Sequence, residues 1–200
     1  MKIRVPDVKI NCDDPAYRRI CMETVKAIKE RRSVRKFDTS REVSKELIES
    51  VIDVARFAPS WKNTQVTRYY VLTGEAKDKL ADCTTIWAKN GDIMRGAPMV
   101  VALSVVDKRS GYERDGSAST PLGAGWQMFD SGIACQTFCL AAHDAGLSSV
   151  IMGLYDDNAA DVIGIPEGQI LTAVIAVGYA AEEPAAPNRK EVSDLVTYKS

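Results

Sequence analysis

The stretch from Trp126 to Ala145 limits the possible folds of this chain more than any other. Met128, Ile133, Ala134, Thr137, Phe138, Leu140 and Ala141 recur there at helical spacing and leave little polar surface. A helix that is apolar nearly all round has no solvent face, so it belongs at the centre of a domain or between subunits. Gly146 supplies its C-cap. Met99 to Val106 is a continuous apolar run of the kind that makes a central strand.

The other elements follow from local pattern. Asp14 to Lys29 reads as a helix, capped by Asp13 or Asp14 with Pro15 in its first turn and Ile20, Met22, Val25, Ala27 and Ile28 on one stripe. Ser44 caps a second helix carrying Leu47, Ile48, Val51, Ile52 and Ala55, which Pro59 stops. Thr67–Thr73, Ser148–Leu154 and Ile170–Tyr179 read as strands, Glu75–Ala88 and Asn158–Ile163 as helices, and Lys89-Asn90-Gly91-Asp92 as a polar turn. Asp107 to Gly125 is a polar, glycine-bearing surface excursion with the look of a lid, and Val192–Tyr198 has strand-like content. Helices come first, and the strands are then separated by helices of uneven length. This order predicts an α+β fold and not a doubly wound parallel sheet. One domain is expected over residues 21–200, preceded by an N-terminal arm over residues 1–20.

Charge and cysteine content narrow the function. The 26 Lys and Arg residues against 27 Asp and Glu give a net charge of −1, so no general field attracts nucleic acid or an acidic membrane. Any anion site must be local. Cys12, Cys21, Cys83, Cys135 and Cys139 form no C-x-x-C pair, and Cys135 and Cys139, in the apolar helix, read as buried small hydrophobes. With no apolar leader and no run of membrane-spanning length, a reducing cytoplasm is the expected location.

The local anion site is legible at Glu30-Arg31-Arg32-Ser33-Val34-Arg35-Lys36-Phe37-Asp38, which gathers four cations and a hydroxyl on a short backbone. Arginine forks present paired N–H donors to phosphate oxygens. Basic residues at a helix end also complement the macrodipole and face solvent, and the rest of the chain must decide between the two. Ala58-Pro59-Ser60-Trp61-Lys62-Asn63-Thr64-Gln65 is a loop dense in amide, hydroxyl and indole groups suited to a heterocycle's edge, or to ordinary turn chemistry. The sole histidine, His143, lies near a helix C-terminus where its charged form is mildly favoured. No dinucleotide or P-loop fingerprint, metal-ligand cluster or nucleophile–histidine pair appears. A chain with an anion site and no reactive group of its own points to a bound cofactor as the carrier of the chemistry.

The segment Arg31–Phe37, the helix after it and Ala58–Gln65 resemble the two opening motifs of the FMN-dependent nitroreductase family. The run Ala141-Ala142-His143-Asp144-Ala145-Gly146-Leu147-Ser148-Ser149, then Ile151-Met152-Gly153, Ile165-Pro166-Glu167-Gly168 and Val177-Gly178-Tyr179 resemble its second half, so that the resemblance spans about residues 26–200 in order. It implies a mainly antiparallel central sheet flanked by helices. It also implies a homodimer with FMN at the interface and a C-terminal arm, about residues 184–200, exchanged with the partner. By position, Arg31, Arg32 and Ser33, with Arg189, would hold the phosphate and ribityl chain, and Arg35 would approach the pyrimidine edge. Pro59, Ser60, Trp61 and Asn63 would come from the other subunit, and the backbone at Met152 and Gly153 would face flavin N5. Tyr112 and Lys62 would contact substrate. Trp61 departs from the family pattern, standing where a small residue is expected. The implied activity is ping-pong transfer from NADPH or NADH through FMN to a small-molecule acceptor such as a nitroaromatic or quinone, with no side chain acting as catalyst and no metal. A flavin store or sensor without turnover, and a specialised reaction such as dehalogenation or flavin fragmentation, share the same cofactor residues.

Overall fold

The structure, a computed structural model, describes residues 24–199. The expected arm, with Cys12, Cys21, Asp13, Asp14, Pro15, Ile20 and Met22, lies outside them. Four strands, β1 (Thr67–Leu72), β2 (Met99–Val106), β3 (Ser148–Met152) and β4 (Gln169–Gly178), form one sheet in the order β1-β2-β4-β3 with every pairing antiparallel. Among the described residues six helices accompany it: α1 (Thr24–Glu30), α2 (Lys45–Ala55), α3 (Gly74–Asp82), α4 (Ala88–Gly96), α5 (Gly125–Asp144) and α6 (Ala159–Ile163). This is the α+β arrangement that the element order predicts.

The apolar run of β2 is explained by helices on both sides of the sheet. Val100 and Ala102 join Val174 and Ala176 of β4 in one core, with Leu80, Ala81, Met94 and Ala159 from α3, α4 and α6. Val101 and Leu103 join Ile175 and Val177 in the other, with Ile48, Val51, Phe138 and Ala142 from α2 and α5. Strand side chains alternate between faces, so a strand covered twice needs apolar residues at every position. Each Leu, Ile or Phe buried this way stabilises the fold by about 1.5–3 kcal/mol.

Local chemistry sets the helix ends. Ser44 Oγ accepts from Leu47 N at 3.2 Å to start α2, and Gly146, at φ 78°, ends α5 while Leu147 N reaches back to Ala142 O at 2.8 Å. Helix α5 buries Ala134, Cys135, Phe138, Cys139 and Ala142 and leaves Met128 and Phe129 exposed. The helix is thus central to the fold along one face only.

Three expectations fail. Lys89–Asp92 is not a turn but the body of α4. Gly91 sits where a Cβ would come within 2.6 Å of Thr84 Oγ1 and 2.7 Å of Ala81 O, so it serves close packing of α4 on α3. The predicted Glu75–Ala88 helix stops at Asp82, and Asp156 holds the following Thr85–Trp87 turn by accepting from Thr85 N at 3.1 Å and Thr85 Oγ1 at 2.9 Å. Val192–Tyr198 is not a strand in the single chain, because only a 3-10 turn at Val192–Asp194 forms there and no strand lies alongside. On α1, Ala27 is buried whereas Val25 and Ile28 are exposed. Among the described residues no helix is long and apolar enough to cross a membrane.

Candidate functional site

The arginine segment is fixed by backbone bonds on both sides of the sheet edge. Val34 N donates to Ser149 O at 3.1 Å, Asp38 N to Tyr179 O at 2.9 Å, and Ala181 N to Lys36 O at 2.9 Å. Buried Val34 and Phe37 anchor it from below. These contacts set residues 31–35 beside the chain as it leaves β4, and together they enclose a cavity of about 280 Å³. Arg31, Arg32, Ser33, Arg35 and Arg189 line it, with Pro184 and Pro187 stiffening the far wall.

The guanidinium groups converge without counter-ions. Arg32 Nη1 donates to Lys29 O at 2.6 Å and Arg31 O at 3.0 Å, and Arg35 Nη1 to Ser33 O at 3.2 Å. The nearby Glu182 carboxylate accepts from the Arg35 backbone N at 2.9 Å and not from a side chain. Among the described residues none of the four arginines forms an ion pair. Arg31 Nε is buried and has no hydrogen-bond partner among the described residues. A buried donor left unsatisfied costs about 1–3 kcal/mol, more when charged, and an anion in the cavity would relieve both that cost and the mutual repulsion. The donor set therefore fits a phosphate.

Behind this cradle stands the end of α5. His143 titrates below the ordinary histidine value chiefly because it is partly buried; Glu30 raises it more than Arg31 lowers it, and Asp144 more than Arg32. This reverses the expectation from the helix dipole: desolvation outweighs it. His143 Nε2 is also buried without a partner among the described residues. Cys135 and Cys139 are buried free thiols, as their setting suggests, and the hydrogen bond to Cys139, then burial, pushes Cys135 up.

The Pro59–Asn63 loop forms a separate centre. Trp61 N donates to both carboxylate oxygens of Asp130, at 3.1 and 3.0 Å, and Ser110 Oγ donates to the same group at 2.6 Å. Ser60 Oγ accepts from Gln65 N at 2.9 Å. The Trp61 ring packs on Trp126 with centroids 4.5 Å apart, so the bulky residue at this position has an intramolecular partner. Pro59 and Ser60 line a cavity of about 140 Å³ together with Tyr69 and Asp130. Asn63 is exposed at the turn. Sequence reading passed over Asp130; its one signal is a carboxylate inside a helix otherwise read as apolar, where a 3 % exposed acid must have partners.

Lys62 and Tyr112 do meet, across a third cavity of about 610 Å³ between this loop and the 108–116 segment. Lys62 Nζ lies 2.9 Å from Glu113 Oε1, which also accepts from Ser119 Oγ at 2.5 Å. Those contacts, the Ser119 bond first, hold the Glu113 carboxyl below its usual range. The excursion is closed on itself by a backbone bridge between Tyr112 and Ala118. Met152 and Gly153 end β3, with Met152 buried in the sheet core and Gly153 exposed. One chain thus brings together the residues expected at the phosphate and keeps the Pro59–Asn63 loop in a different cavity.

The family model described as Nitroreductase family matches residues 28–179. A protein of Methanothermobacter thermautotrophicus provisionally named NADH dehydrogenase/NAD(P)H nitroreductase is 32% identical over 172 residues, covering 82% of this chain and 80% of the relative. Among solved structures, a nitroreductase family protein from Streptococcus pneumoniae is similar with a TM-score of 0.77 at 20% identity, over 88% of this chain and 100% of that one. A provisionally named nitroreductase from Desulfovibrio desulfuricans in complex with FMN is similar with a TM-score of 0.72 at 25% identity, over 90% of this chain and 98% of that one.

Proposed function

The chain belongs to the nitroreductase family, and from that premise we propose that it is an FMN-dependent oxidoreductase passing reducing equivalents from NAD(P)H to a small-molecule acceptor such as a nitroaromatic or quinone. The observation that carries the reading is the cavity in which Arg31, Arg32, Arg35 and Arg189 meet Ser33, with Arg31 Nε buried and, among the described residues, unpartnered. The names of the relatives and the FMN complex of the Desulfovibrio protein support the same cofactor and reductant.

Bound flavin supplies the redox chemistry, so the side chains bind, orient and exclude water. Arg31, Arg32, Ser33 and Arg189 would hold the phosphate and ribityl chain, the arginines by charge-assisted bonds. Arg35, rooted by its backbone on Glu182, would set a cation toward the pyrimidine edge. The backbone at Met152 and Gly153 would face flavin N5.

The remaining wall comes from a second copy. Leu122, Met128 and Phe129 around the start of α5, and Val192, Leu195, Val196 and Tyr198 in the tail, are exposed apolar side chains in the single chain. A homodimer buries them, exchanges the C-terminal arm, and brings Pro59, Ser60, Trp61 and Asn63 of one protomer to the cradle of the other. The free thiols of Cys83, Cys135 and Cys139 suit a reducing cytoplasm.

The test is the absorbance spectrum of the purified protein with and without added FMN, followed by NADH and NADPH oxidation with a quinone and a nitroaromatic. Flavin bands and acceptor-dependent oxidation are expected. A protein that takes up no FMN, or holds it without turning over either reductant, contradicts the proposal.

A further inference from the structure

We propose that the cavity between the Trp61–Asn63 turn and the 108–116 segment is a specificity pocket for an anionic group, a phosphate or carboxylate, carried by the reductant or by the acceptor. The inference rests on the oxidoreductase reading and adds the charge class of what enters.

The cavity measures about 610 Å³ and is lined by Lys62, Lys108, Arg109, Tyr112, Glu113 and Arg114 among others. That volume falls within the range of about 300–1,000 Å³ typical of small-molecule sites. Four cations face one carboxylate, and Glu113 is already engaged by Lys62 and Ser119. Lys108, Arg109 and Arg114 form no ion pair among the described residues. In a chain whose net charge is −1 this is a local positive focus, which raises the local concentration of anions.

The walls are built and not merely exposed. Buried Asp130 binds Trp61 N on one wall and Ser110 Oγ on the other. One turn earlier on α5, buried Gln127 accepts from Lys108 N at 3.1 Å and donates through Nε2 to Asp107 Oδ1 at 2.9 Å. Lys62, Asn63, Gln65 and Lys108 are the non-glycine residues with positive φ among those described, at 44°, 54°, 49° and 54°. Lys62, Asn63 and Lys108 lie on the two segments that frame this cavity, and Gln65 follows the lining residue Thr64. Left-handed backbone at non-glycine residues persists only where the surroundings over-determine it, and it gathers at ligand clamps. Tyr112 adds a half-buried ring and hydroxyl beside the cations.

The experiment compares holoprotein with the triple variant Lys108→Gln, Arg109→Gln, Arg114→Gln in two matched pairs. NADPH against NADH isolates the 2′-phosphate; 4-nitrobenzoate against nitrobenzene isolates a carboxylate on the acceptor. The ratio of KM within one pair should shift by about tenfold against the anionic member, and about 0.5 M NaCl should reproduce part of the shift in the unaltered protein. The pair that moves identifies the source of the anion. Calorimetric binding of adenosine 2′,5′-bisphosphate and of 4-nitrobenzoate gives a readout independent of turnover: each probe that the pocket takes should bind the unaltered protein and weaken in the variant. Absent flavin or absent turnover would defeat the oxidoreductase reading alone. Ratios unmoved within about twofold in both pairs, or, where turnover is absent, both probes binding the two proteins equally or neither protein at all, overturn this inference.

Discussion

Removing the Asp130 carboxylate should release the loop that carries Trp61. The side chain is 3 % exposed and accepts from Trp61 N and Ser110 Oγ. In Asp130→Ala both donors stay buried without a partner, at about 1–3 kcal/mol each, or roughly 2–6 kcal/mol together. Relaxation of the loop, in which Lys62, Asn63 and Gln65 are held at positive φ, offsets part of this. The expected net loss in urea unfolding is therefore about 2–4 kcal/mol. Asp130→Asn keeps one acceptor for Trp61 N, and Ser110 Oγ can rotate to accept from the new amide, so about 1–2 kcal/mol is expected. Local order provides a second readout. Trp61 and Trp126 lie 4.5 Å apart, close enough for their indole transitions to couple, and the resulting circular-dichroism couplet should vanish in the alanine variant and persist in the asparagine one. An alanine variant within about 0.5 kcal/mol of the parent that retains the couplet would refute this account of Asp130.

Two other perturbations follow from packing and charge. Gly91→Ala should destabilise by about 1–2 kcal/mol despite alanine's better helix propensity, because the new Cβ meets Thr84 Oγ1 and Ala81 O; a neutral or stabilising result in urea unfolding would restore the turn interpretation of Lys89–Asp92. His143 titrates lower when folded than its unfolded value of about 6.5, so the unfolded chain takes up the proton first as pH falls. Its contribution is present above about pH 6.5 and is lost as pH drops through the folded value. Unfolding of the flavin-free protein at about pH 7.5 and about pH 5.5 should show a smaller acid loss in His143→Gln than in the parent; equal losses would contradict the part-buried placement of His143 at the end of α5.

Much of the architecture is readable in the chain because it is written in local rules. Met99–Val106 was bounded by its apolar run and forms β2 with those limits; Gly146 and Gly164 end their helices in the left-handed region that favours glycine. What escaped reading depends on contacts far apart in sequence. Gly91 looks like a turn residue until α3 is packed against α4. Asp130 looks like a stray charge until residues 61 and 110 are brought to it. His143 follows the helix dipole only while its burial by segments packed against α5 is ignored. The proposed cradle is legible because four of its five residues lie within Arg31–Arg35, whose donors act together on any backbone that holds them; Arg189 joins them only through family resemblance. Val192–Tyr198 finds no strand partner among the described residues, which is the physical reason its strand-like content forms none there.

The central claim is that guanidinium groups gathered at one cavity hold the phosphate of a flavin, and paired titrations with FMN and riboflavin test it most directly. Riboflavin has the same ring system and lacks the phosphate. Two charge-assisted contacts at about 1.5–3 kcal/mol each should make FMN bind at least about a hundredfold more tightly than riboflavin. In the Arg31→Ala, Arg32→Ala double variant that gap should shrink to about tenfold or less while riboflavin affinity holds. Equal affinity for the two flavins in the parent protein, or a gap that survives the double substitution intact, would contradict the account.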